Sequence, residues 1–110
     1  MIDGLIRRKL QRQSDERLAA LIATGSGHAV EALDARYHGA LASYCARVLG
    51  APRADAAAQQ TLARGCRALR DGIQPLRLRP WLFAIAVEVC RDELRDDEPH
   101  ERGAELSSGS

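Results

Sequence analysis

The 110-residue sequence predicts an all-α fold, a compact bundle of about four helices. Three observations carry that prediction. Nineteen Ala, fourteen Leu and fifteen Arg are strong helix formers, whereas the residues that favour sheets are scarce: five Ile, four Val and four aromatics (Tyr37, Tyr44, Trp81, Phe83). Apolar residues recur at spacings of three and four through most of the chain. Gly and Pro punctuate the intervals between those stretches, at Gly25, Gly27, Gly50, Pro52, Gly72 and Pro75.

Each element follows from local signals. Residues 1–13 are a polar N-terminal arm with a weak helical pattern (Leu5, Ile6, Leu10), equally compatible with a short helix or a frayed lead. Ser14-Asp15-Glu16 opens the first helix of the bundle: a hydroxyl suited to capping is followed by two acids at the positive end of the dipole. Leu18, Leu21 and Ile22 form its stripe, and Gly25-Ser26-Gly27 turns the chain. The next helix is the clearest. Val30, Leu33, Tyr37, Leu41, Tyr44, Cys45 and Val48 lie on one continuous face, and Gly50 and Pro52 end it. Residues 54–70 form another helix with Ala58, Leu62, Cys66 and Leu69 as its stripe, Asp55 near its start, and Arg67 and Arg70 near its end. A loop over 71–79 carries Arg77 and Arg79 with an exposed apolar pair.

The segment from Pro80 to about Asp97 is ambiguous by period alone. Trp81, Phe83, Ile85, Val87 and Val89 alternate as in a strand, yet helical stripes run through the same residues. Pro80 at a first helical position, the interleaved Ala84 and Ala86, and the lack of any partner strand decide for a helix. Its nearly continuous apolar half places it at the centre of the core. A helical domain over 14–98 and a disordered tail over 99–110 complete the expected organisation.

Composition also sets limits on function. No apolar run reaches the 18 residues of a membrane span, and the charged N-terminus does not resemble a signal peptide. Cys45, Cys66 and Cys90 are odd in number and widely spaced, which argues against a disulfide framework or a zinc knuckle and for a reducing cytoplasm. A net charge of +1 provides no global attraction to nucleic acid. No phosphate loop, metal-spaced cluster or catalytic constellation is present, so neither an enzyme, a metal nor a cofactor is expected. Arg77, Arg79 and Trp81 are the most suggestive surface, since two cations beside an aromatic suit a phosphate backbone and a stacked base. The alternative reading of the same residues places Trp81 in the core and leaves the arginines solvating a loop.

The order of residues also carries a resemblance. "DERLAALIATGSGHAVEALDARYHGALASYCARVLG", "ADAAAQQTLARGCRAL" (54–69) and "LRPWLFAIAVEVCRDELR" (78–95) together resemble region 2 of the extracytoplasmic-function sigma factors, within the sigma-70 family. The likeness runs over about 15–97. It implies a helical domain that docks on the clamp helices of the β′ subunit of core RNA polymerase and helps to recognise the −10 promoter element. Carried over by position, the polymerase-binding candidates are Asp55, Gln59, Gln60 and Arg64, and the DNA-binding candidates are Arg77, Arg79 and Trp81. Asp92 takes a structural role.

The sequence departs from the family pattern at Ala56, Gln60, Leu62 and Cys66, and at Val87-Glu88, where the family has an Arg-Asn pair. Residues 76–98 hold four arginines and six acids, a local charge of −2. The eleven residues after Pro99 are too few for the family's C-terminal helix-turn-helix region, as expected either of an excised region or of a region 2 that works alone. The acid-for-base changes keep a second reading open: a degenerate sigma-like domain that engages an anti-sigma factor or other partner without promoter melting. A third is an unrelated small helical bundle.

Overall fold

The computed structural model describes residues 2–97, with the side chains of Asp3 and Arg7 excepted, and builds them into five helices. These are α1 (Ile2–Gln11), α2 (Asp15–Ala23), α3 (Gly27–Leu49), α4 (Ala51–Arg70) and α5 (Leu78–Asp96), with no strand among the described residues. The expected tail over 99–110 lies outside them. The all-α expectation holds. The count of about four is corrected to five, because the N-terminal arm is itself a helix. Leu10 packs against the core, and Arg36 Nη2 donates to the Gln11 carbonyl at 3.0 Å, satisfying one of the acceptors a helix end leaves open.

Capping chemistry sets the next boundaries. Ser14 Oγ accepts the Arg17 N–H at 3.0 Å, and Ser26 Oγ accepts the Ala29 N–H at 3.1 Å. Between them Gly25 turns the chain at φ +96°.

Pro52 was expected to end a helix and instead sits in the first turn of the next. Only Gly50, at φ +93°, separates α3 from α4. A proline lacks the N–H that a first-turn residue would leave unbonded, so it starts a helix as readily as it follows one. The result is a tight hairpin in which α3 and α4 run antiparallel. The loop covers 71–77 rather than 71–79. Helix α5 begins at Leu78, two residues earlier than expected, with Arg79 and Pro80 in its first turn.

The main core joins Leu18 and Ile22 of α2, Leu33, Tyr37 and Leu41 of α3, Leu62, Cys66 and Leu69 of α4, and Leu78, Leu82 and Ala86 of α5. A smaller cluster at the hairpin end holds Cys45, Ala54, Ala57, Val89 and Cys90. The ambiguity over 81–89 thus resolves as a helix with a narrow buried stripe. Leu82, Ala86, Val89 and Cys90 are buried, whereas Trp81, Phe83, Ile85 and Val87 are half-buried and Ala84 faces solvent. The apolar half of α5 reads as continuous because its flanks lie against α3 and α4. Gly65 of α4 permits this approach: a Cβ there would stand 2.8 Å from Leu82 Cδ2.

Candidate functional site

The α4 residues singled out from sequence sit on its outward side. Alternate positions of this helix face inward as Ala57, Ala58, Thr61, Leu62, Gly65 and Cys66, and Asp55, Gln59 and Gln60 consequently project to solvent. They do not form one cluster. Asp55 and Gln59, four residues apart, share the edge toward α3. There the Asp55 carboxylate lies 3.2 Å from His38 Nε2, and Gln59 borders a shallow groove of about 550 Å³ with Val30, Asp34, Leu62, Cys66 and Arg70. Gln60 belongs to a neighbouring stripe with Ala63, Arg64 and Arg67.

Arg64 differs from the other three. Its Nη2 donates to Asp92 Oδ2 at 3.1 Å, which ties α4 to α5. Arg53 makes a second tie of the same kind, to Glu93 and Asp97, each at 2.6 Å. These carboxylates hold the Arg53 guanidinium above its ordinary pKa. Three of the acids that make the end of α5 negative in sequence are therefore partnered by arginines from α4. Asp92, for which the resemblance implies a structural role, takes part in this α4–α5 pairing.

The DNA-binding candidates also divide. Arg77 ends the loop as the residue before α5 and is exposed. Arg79 and Trp81 are two residues apart on a helix and so point about 200° apart. The Arg79 guanidinium lies over two aromatic faces, 5.7 Å from the Tyr37 ring centroid and 5.3 Å from that of Phe83, within cation–π range. Trp81 turns the other way, half-buried, with Cζ3 placed 3.6 Å from where a Gly65 Cβ would be. The aromatics beside a basic residue are thus Tyr37 and Phe83, the latter edge-on to Tyr44 at 6.2 Å and 81°.

Behind Arg79 lies a network that no sequence motif marks. The Tyr37 hydroxyl donates to Asp15 Oδ2, and Arg36 Nη1 donates to Asp15 Oδ1 at 2.9 Å. One carboxylate at the start of α2 thereby anchors two neighbours on α3. Burial, then the hydrogen bond to Asp15 and its charge, push the Tyr37 pKa up to about 12, with Arg79 opposing. The only sequence signal was the adjacent Arg36-Tyr37 pair within the quoted stretch. The loop tip before α5 combines Arg77 with Leu76, which is 93% exposed, and Ile73.

No group of three or more metal-ligating residues stands together among the described residues. No helix among them is long and apolar enough to cross a membrane.

A match to the family model of sigma-70 region 2 spans residues 33–99. That is more than half of the chain. The chain belongs to the sigma-70 region 2 family. The matched segment takes in most of α3, all of α4, the loop and α5, and so contains every candidate residue above; α1 and α2 precede it. No curated protein and no solved structure matches the chain. Sigma-70 region 2 domains in general bind core RNA polymerase and take part in −10 recognition. The exposed side of α4 and the loop tip leading into α5 both lie within the matched segment.

Proposed function

We propose that this region 2 domain is of the extracytoplasmic-function type and works as a non-enzymatic transcription-initiation module in a bacterial cytoplasm. In this reading α4 docks on the β′ clamp helices of core RNA polymerase through Asp55 and Gln59, with Gln60 on the flank. The loop tip and the start of α5 contribute to the −10 element through Arg77 and Arg79. The observation that carries it is the outward polar side of α4, which keeps Asp55, Gln59 and Gln60 exposed while its other face is buried in the core.

The structure also alters the weight of the acidic α5 end. Two arginines from α4 stand against Asp92, Glu93 and Asp97, so the local charge of −2 seen along the sequence is offset in space. Repulsion of phosphate near α5 is correspondingly weaker than a linear count implies. Arg79 supplies a cation backed by aromatic faces, and Trp81 acts mainly in packing.

The test is capture of a single-stranded −10-type oligonucleotide by the chain bound to core polymerase, across a salt series. Replacing both Arg77 and Arg79 by Ala is expected to weaken capture and to lower the salt slope by about 1 per lost phosphate contact. Polymerase binding is expected to persist. Unchanged capture in the double variant refutes the assignment of these arginines. Polymerase-independent binding to a protein partner, with no DNA capture by the wild type, supports the alternative of a sigma-like domain engaging an anti-sigma factor. Exposed Glu88, at a family Arg-Asn position, favours that second reading.

A further inference from the structure

Three cysteines that look unrelated along the chain fall into two settings. Cys66 belongs to the main core and borders the α3–α4 groove. Cys45 of α3 and Cys90 of α5 meet in the smaller cluster, with their sulfurs 3.8 Å apart and both side chains buried. We propose that Cys45 and Cys90 are a dithiol–disulfide site, closed by a hydroperoxide into an intramolecular crosslink between α3 and α5 and reopened by a thiol reductant.

Geometry carries the proposal. The sulfurs are already in contact, and a disulfide requires them to close by roughly 1.8 Å more. On the α4 side the pair lies beside the small side chains of Ala54 and Ala57, in a cluster completed by Val89. The two residues are 45 positions apart, so the bond would enclose the whole of α4 and the following loop. Crosslinks over long segments restrict the unfolded chain most.

The chemistry balances with the peroxide as the oxidant. One thiolate attacks a peroxide oxygen, the O–O bond breaks, and a sulfenic acid forms with release of water or an alcohol. The second thiolate attacks the sulfenyl sulfur, and hydroxide leaves to become water on taking a proton. Two thiols thereby lose two protons and two electrons to one peroxide.

Burial sets the rate rather than the outcome. It pushes the Cys45 thiol pKa up, and the neighbouring Cys90 adds to the shift, so the closed domain keeps Cys45 a poor nucleophile. Reaction follows opening of the α5 end. That end is tied by the Arg53 and Arg64 ion pairs, which are part-exposed and individually weak. Oxidation should therefore quicken with rising salt.

The experiment exposes the full chain to hydrogen peroxide at low and high salt, alkylates remaining thiols under denaturing conditions and maps peptides without reduction. The expected result is one crosslinked Cys45–Cys90 peptide, Cys66 still alkylated, reversal by dithiothreitol, and a Tm about 10 °C higher in the oxidised form. Cys66→Ala should behave as the wild type does. The wild-type map needs no variant at the pair, so poor folding of Cys45→Ala would not spoil the test. Cys45 and Cys90 both recovered alkylated, or a crosslink through Cys66 or between two chains, overturns the proposal. A crosslink whose rate ignores salt overturns the gating by α5.

Discussion

Replacing Gly65 by Ala tests how α5 is seated. Two effects oppose each other. In a helix interior Ala is favoured over Gly by about 1 kcal/mol. At Gly65, however, the new methyl would meet Leu82 Cδ2 at 2.8 Å, with Trp81 Cζ3 at 3.6 Å and Ile85 Cδ1 at 3.7 Å. Leu82 is fully buried, so its methyl cannot retreat into solvent. Overpacking of this kind costs about 1–3 kcal/mol. The balance is a net loss of about 1 kcal/mol.

Gly39 supplies the control. It lies inside α3, is exposed, and a Cβ there meets nothing within 4 Å. Gly39→Ala should therefore keep the whole helical gain of about 1 kcal/mol. The two identical substitutions are expected to differ by about 2 kcal/mol, or roughly 8–16 °C in Tm for a domain of this size. Thermal and urea unfolding followed by helical circular dichroism measure both. If Gly65→Ala raises Tm as much as Gly39→Ala does, the close α4–α5 contact is not there and the placement of Trp81 falls with it.

Further predictions rest on other parts of the fold. Tyr37 holds its proton more tightly when folded, with a pKa of about 12 against an ordinary 10.0. Its contribution is therefore complete below pH 10 and lost as pH rises toward 12, by about 2 kcal/mol. Urea midpoints at pH 8 and pH 11 should diverge less in Tyr37→Phe than in the wild type, and an equal divergence would deny Tyr37 this role. Leu41→Ala removes a fully buried side chain and should cost about 2–5 kcal/mol, whereas Leu76→Ala, at the exposed loop tip, should stay within about 0.5 kcal/mol. Similar losses from the two in urea unfolding would contradict the assigned core.

Local chemistry was the legible part of this chain. Ser14 and Gly25 marked real boundaries, and the stripe through Leu33, Tyr37, Leu41 and Cys45 marked the inner face of α3. Pro52 is ambiguous in sequence because a proline between two helices gives the same signal whether it ends one or starts the next. Residues 2–11 were undecided because a helix with few apolar residues depends on what it packs against, here α3. The ordered motifs located the candidate surfaces, yet sequence could not show that Arg79 and Trp81 diverge around α5, or that Arg64 reaches Asp92. Those facts depend on angular position and on contacts between residues 28 positions apart. The Cys45–Cys90 contact was hidden for the same reason. Spacing along a chain reports neighbours on one helix and says little about which helices meet.

The most direct test of the account is a binding titration of the chain with core RNA polymerase at moderate salt, comparing Asp55→Ala/Gln59→Ala with Arg64→Gln. The account predicts saturable binding by the wild type and a loss of tenfold or more, about 1.4 kcal/mol, in the Asp55/Gln59 variant. It predicts a smaller loss for Arg64→Gln, since that side chain is occupied with Asp92. Equal binding by the wild type and a well-folded Asp55/Gln59 variant, or no binding by either, would contradict the claim that the outward side of α4 is the polymerase-docking surface.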